Sequence, residues 1–78
     1  MSKLILLKKH NCTGCELVDL YLTNEGADYH TYNVEETPEI AAQYGVMSVP
    51  VLIKLDDDGN EQERIVGYAP DAISQLIE

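Results

Sequence analysis

Residues 4–7 read Leu-Ile-Leu-Leu, four apolar side chains in succession with no polar residue among them. The run is too short for a helix, and it lacks the alternation of a strand with one wet face. It therefore predicts a strand over 3–8 that is covered on both sides. Such a strand needs one layer of structure above it and another below. The chain has 78 residues to supply both, and a domain of this size buries only about 60% of the surface its unfolded chain exposes. Every segment must feed one shared core, so a single domain over 1–78 is expected, without repeat, linker or tail.

The rest of the pattern supplies the layers. From Cys15 to about Asn24 the spacing is helical, with Leu17, Val18, Tyr21 and Leu22 on one broad face and Gly26 as the stop. Residues 29–34 (YHTYNV) are rich in aromatic and β-branched types and predict a second strand. Thr37-Pro38-Glu39 starts a short helix: Thr37 can cap, Pro38 suits the first helical position and Glu39 favours the dipole. That helix ends near Tyr44, with Gly45 just beyond. Residues 51–55 (VLIKL) form a third strand, and Asp58-Gly59 turns the chain into a fourth near Glu63–Val66. Pro70 opens a last helix with Ala72, Ile73, Leu76 and Ile77 facing inward. The order βαβαββα predicts an α/β fold. Its first two strands are parallel with a right-handed crossover and its last two antiparallel, giving a four-stranded mixed sheet with helices on both faces.

There are two cysteines, Cys12 and Cys15, three residues apart. A bridge between them closes so short a loop that it removes little chain entropy, so the pair makes a poor structural staple. It lies where the first strand gives way to the first helix, at the carboxyl edge of the sheet where α/β proteins place their sites. Cys12 falls at the helix N-terminus, whose unpaired N–H groups stabilise negative charge and lower a thiol pKa, with Lys8 and Lys9 expected to add to the effect. Cys15, within the first turn and more buried, can then resolve a mixed disulfide. A CxxC at this junction reads as a redox motif. Two other readings stand beside it: an incidental pair, and a small zinc-binding or interaction module. Zinc needs four ligands, for which only Cys12, Cys15, His10 and His30 are at hand.

The formal net charge of −9 argues against nucleic acid and against anionic membranes as partners. It predicts an acidic surface whose docking to a basic partner weakens with salt. Three of the five cations, Lys3, Lys8 and Lys9, precede the first cysteine, which makes that region locally positive. The N-terminal apolar stretch is shorter than the about 7–15 residues of a signal peptide or the about 20 of a membrane span. A cytoplasmic location, where thiols stay reduced, is expected.

Some signals carry no chemistry on this reading. Asn11-Cys12-Thr13 matches a glycosylation sequon by chance. Asp56-Asp57-Asp58-Gly59 fails as a calcium loop, since the first and twelfth ligand positions would be Lys54 and Ile65. His10 reads as an exposed loop histidine, and Tyr21, Tyr32 and Tyr44 as packing residues.

With Ser48-Val49-Pro50 ahead of the third strand, the whole arrangement resembles the thioredoxin superfamily over nearly the full chain. The resemblance implies a minimal thioredoxin (glutaredoxin-like) fold in which Pro50 is cis and packs beside the cysteines, leaving the Val49 backbone to pair with an extended substrate. Thioredoxins usually carry a tryptophan before the first cysteine and a buried acid in the preceding strand; Asn11 and Leu6 stand there in this chain. The short length looks like glutaredoxins and NrdH-type redoxins, and Lys9 matches a basic position common to both. Gly67-Tyr68-Ala69-Pro70-Asp71 is similar to the Gly-Phe-x-Pro-Asp segment of NrdH-type redoxins, and Tyr68 would crowd a bound glutathione. Thr13-Gly14 and Ile65-Val66 depart from that branch, which usually has a bulkier dipeptide and a tryptophan at these places. The implied activity is thiol–disulfide exchange by a monomer that needs no bound cofactor beyond a redox-active Cys12–Cys15 disulfide. The implied electron donor is thioredoxin reductase, and the implied acceptor is a disulfide protein such as ribonucleotide reductase. A glutathione-dependent glutaredoxin is the alternative.

Overall fold

The computed structural model describes residues 3–78. Strand β1 (Lys3–Lys8) lies inside the sheet, parallel to β2 (Tyr29–Asn33) on one side and antiparallel to β3 (Val51–Leu55) on the other. Strand β4 (Glu61–Val66) pairs antiparallel with β3 and closes the order β2-β1-β3-β4. The helices are α1 (Thr13–Asn24), α2 (Pro38–Tyr44) and α3 (Pro70–Ile77).

The uninterrupted apolar run of β1 is explained by its two faces. Leu6 points to one side, into a cluster with Val18 and Leu22 of α1, Leu52 of β3, and Ile73 and Leu76 of α3. Ile5 and Leu7 point to the other, against Val51, Ile53 and Leu55, where Ile40 and Tyr44 of α2 cover them. Successive strand side chains alternate faces, so one hexapeptide nucleates both layers. Each fully buried Leu or Ile contributes about 1.5–3 kcal/mol relative to exposure.

Four expectations shift in detail. Helix α1 begins at Thr13 rather than Cys15, because the Cys12 side chain caps it and lets the chain turn helical at once. Its buried stripe is Cys15, Val18 and Leu22, which leaves Leu17 40% exposed on the flank instead of on the inner face. In α3, Ile73 and Leu76 are buried while Ala72 is exposed, since the apolar stripe is narrower than the composition suggests. Strand β4 starts at Glu61, two residues before Glu63, because Leu55 already pairs with Glu61 across an irregularity at Lys54–Leu55.

The acidic run at 56–58 is a turn device. The Asp56 carboxylate accepts backbone N–H bonds from Asp58 at 2.9 Å and Asn60 at 2.8 Å, the Asx pattern that stabilises a reversal. Arg64 ties β4 to the end of α2 by donating to the Tyr44 carbonyl at 2.7 Å, and it also grips Glu61. The hydrogen bond from Arg64 holds the Glu61 carboxyl below its ordinary range.

Candidate functional site

Cys12 is the N-cap of α1. Its backbone is extended (φ −120°, ψ 104°), and its Sγ accepts the N–H of Cys15 at 3.1 Å. A capping position normally goes to Ser, Thr, Asp or Asn because an oxygen acceptor suits the orphan N–H groups. A sulfur there receives the same donors, and they favour its anionic form over its neutral one. The two cysteines form a disulfide with their Cα atoms 5.2 Å apart. They are unequal: Cys12 is half-buried, whereas Cys15 is 1% exposed and belongs to the helix's inner stripe. The outer sulfur can meet a partner, while the inner one can react only with what the outer one holds.

The loop before β3 closes over this pair. The Val49–Pro50 peptide bond is cis, and Pro50 is buried against the CxxC turn. The contact is tight: a Cβ added at Gly14 would lie 3.2 Å from Pro50 Cδ and 3.6 Å from Cγ, so the proline ring would have to give by a few tenths of an ångström. On the far side, the Gly67 N–H donates to the Pro50 carbonyl at 2.9 Å. Cys12, Cys15, Gly14, Pro50 and Gly67 are thus one continuous unit assembled from three stretches of chain.

A prediction follows for Gly14. Replacing glycine by alanine inside a helix gains up to about 1 kcal/mol of propensity, but overpacking a tight contact costs about 1–3 kcal/mol. The contact should win, so thermal unfolding of the oxidised protein is expected to rank the wild type above Gly14→Ala and Gly14→Ala above Gly14→Val. Equal midpoints for all three would mean that the proline ring yields freely.

Around this unit the surface is apolar in places. Met47 is 99% exposed, Val66 60% and Tyr68 43%. Val66 and Tyr68 flank Gly67, and Met47 precedes Pro50 by three residues. A groove of about 130 Å³ runs between Lys9 and the Val46–Val49 segment. Lys9 also borders a second cavity, of about 210 Å³, whose wall includes Lys8, His10, Cys15, Glu16 and Asp19. The Lys8 ammonium on that wall pairs with Asp19 Oδ2 at 3.5 Å. Asp19 also accepts from the Tyr29 hydroxyl at both its carboxylate and its carbonyl, and Thr23 Oγ1 lies 3.0 Å from the same hydroxyl. Burial, and then the hydrogen bond to Asp19, raises the Tyr29 pKa above that of a free phenol.

The histidines do not join the cysteines in a ligand set. His10 Nε2 lies 3.3 Å from Glu36, and His30 is exposed on β2. Among the described residues no group of three or more His, Cys, Asp or Glu could hold a metal ion. Sequence reasoning passed over Asp19 and Met47. The first was signalled by its spacing, four residues after Cys15 on one helix. The second had no signal, because an apolar residue reads as core until the fold leaves it outside.

A capping cysteine, a buried twin and a cis-proline against the turn between them make a unit for exchanging disulfides. The sequence matches the thioredoxin domain family over residues 1–78.

This chain belongs to the thioredoxin family.

The SPbeta prophage-derived thioredoxin-like protein YosR of Bacillus subtilis (strain 168) is 41% identical over 75 residues, covering 96% of this chain and 94% of that one. The thioredoxin of Staphylococcus aureus (strain N315) is 35% identical over 65 residues, covering 76% of this chain and 62% of that protein. Among solved structures, a thioredoxin variant from Halobacterium salinarum NRC-1 superposes with a TM-score of 0.85 at 28% identity, covering 99% of this chain and 72% of the other. The four-stranded mixed sheet with its three helices is accordingly a minimal thioredoxin fold, and the Cys12–Cys15 pair makes this family member a thiol–disulfide oxidoreductase. No helix of the described residues is long and apolar enough to cross a membrane.

Proposed function

We propose that this thioredoxin-family chain reduces disulfides of protein substrates in the cytoplasm and is recharged by thioredoxin reductase, with ribonucleotide reductase as an acceptor of its electrons. The Cys12 thiolate attacks a substrate disulfide. One substrate sulfur leaves as thiolate, and the other stays bonded to Cys12. Cys15 gives up its proton and attacks Cys12 Sγ, and the second substrate sulfur departs with the bonding electron pair. The substrate has gained two electrons, the protein holds the Cys12–Cys15 disulfide, and the reductase returns two electrons to it. On this reading no bound cofactor is needed.

The observation that supports a protein substrate is the exposed apolar rim of Met47, Val66 and Tyr68 around the cis-Pro50 loop. A polypeptide segment lying across Val49 can cover such a rim, and exposed apolar groups beside a reactive centre mark an interaction surface. Tyr68, 43% exposed beside Gly67, would on this reading crowd a bound glutathione.

The test is NADPH consumption with an insulin-like disulfide protein as acceptor, driven either by thioredoxin reductase or by glutathione with its own reductase. Turnover with thioredoxin reductase is expected. Turnover with glutathione alone would reject the proposed donor and favour a glutaredoxin. Cys15→Ser is expected to stop resolution and trap a Cys12–substrate disulfide, from which the acceptor can be identified by mass spectrometry.

A further inference from the structure

Cys15 must lose a proton each time it resolves a mixed disulfide, yet it is 1% exposed, and no polar or charged side chain is buried among the described residues. The strand position that could hold an internal acid is Leu6, itself 0% exposed. Cys15 borders the cavity of about 210 Å³ between β1 and α1, which offers the proton a way out. A water takes up about 30 Å³ of liquid, so this cavity, whose wall includes Lys8, His10, Glu16 and Asp19, has room for a short water chain.

We propose that Asp19 is the proton acceptor for Cys15, reached through water in that cavity. This rests on the thiol–disulfide chemistry of the family and not on the identity of the reductase or the substrate.

The other ionisable groups on the cavity wall do not fit the role. Lys8 is paired with Asp19 itself, a lysine ammonium offers no acceptor site, and His10 is engaged with Glu36. Glu16 follows Cys15 by one residue, which turns it about 100° around the helix, and it is exposed. Asp19 follows Cys15 by one helical turn. Residues so spaced have Cβ atoms about 5–6 Å apart, and the Cα–Cβ bond tilts the later side chain back toward the earlier one. Both residues line the same cavity.

Asp19 is also held in place from three elements. Lys8 of β1 pairs with Oδ2, Tyr29 of β2 donates to Oδ1, and Thr23 of α1 donates to the Asp19 carbonyl at 2.9 Å. An ionised carboxylate has about four acceptor sites, so these two side-chain contacts leave room for a water. Asp19 takes the proton from Cys15, the new thiolate displaces the substrate sulfur from Cys12, and the departing sulfur recovers a proton from Asp19 or from solvent.

Stopped-flow reaction of the reduced protein with excess dithionitrobenzoate separates the two thiols. The first thionitrobenzoate reports attack by Cys12. The second, whose rate is independent of reagent concentration, reports attack by Cys15. In the wild type the second phase is expected to show an inflection on the acid side, a plateau, and a further rise as the thiol itself ionises. Asp19→Asn should lose the acid inflection and slow the plateau by about 10²-fold, the lower end for general-base catalysis, then converge on the wild type at high pH. In Asp19→Ala, added acetate should restore the second phase, whereas chloride should not. A second phase in Asp19→Asn that matches the wild type at every pH would overturn the assignment. So would a wild-type profile without the acid inflection, or a uniform slowing in the variants that acetate does not relieve, since that is the mark of a structural role.

Discussion

Cys12→Ser is expected to reduce disulfide turnover to the rate seen without protein. The serine still caps α1 and accepts the Cys15 N–H, so the fold is retained, but a hydroxyl is not ionised by a helix N-terminus and cannot serve as the nucleophile. Cys15, 1% exposed, cannot take over. The companion measurement is alkylation of the reduced wild type at neutral pH. An ordinary cysteine is only a few per cent thiolate at pH 7, so full ionisation of Cys12 at the helix mouth should raise its alkylation rate by about 10- to 30-fold over an unfolded peptide. Turnover surviving in Cys12→Ser would move the nucleophile elsewhere.

Leu6→Ala is expected to produce the largest loss of stability of any conservative truncation on β1. The side chain is 0% exposed and sits among Val18, Leu22, Leu52, Ile73 and Leu76, so it joins the sheet to both α1 and α3. Buried Leu→Ala changes cost about 2–5 kcal/mol, a large part of the about 5–15 kcal/mol that whole domains possess. Each kcal/mol moves the midpoint of a domain this small by about 4–8 °C, so thermal denaturation should show a drop of about 10–30 °C. A shift of a few degrees would mean that the layer on that face closes around the gap. Because Leu6 approaches the site only through the packing of α1, the folded fraction should keep its reaction with dithionitrobenzoate at low temperature.

Much of this fold was legible in residues 1–78 because its signals are local. The continuous apolar run of β1 required two covering layers, and both are present. Pro38 and Pro70 stand at the first positions of α2 and α3, and Gly45 ends α2 at φ 63°, in the left-handed region where a Cβ is costly. Element ends were less legible. Cys12 does not look like a cap until its sulfur is seen to accept the Cys15 N–H, and so α1 starts earlier than its apolar spacing implies. Leu17 and Ala72 were placed inside because periodicity gives a broad face, whereas packing uses a narrow stripe.

The site divides the same way. Cysteine spacing and the strand-to-helix junction are properties of neighbouring residues, and they pointed to redox chemistry directly. The ion pair of Lys8 with Asp19 was not legible, because its partner comes from another element.

By itself, then, the order of residues determined the two-layered α/β plan, the turn-forming role of the 56–60 segment and the pairing of Cys12 with Cys15, all written in contacts within one element or across one turn. Tertiary structure alone decided that β3 lies beside β1, that the Pro50 ring presses on Gly14, that Gly67 holds the Pro50 carbonyl and that Lys8, Asp19 and Tyr29 meet at one cavity. These contacts join residues many positions apart, and their free energy comes from burial shared among strands and helices, which no short window of sequence contains.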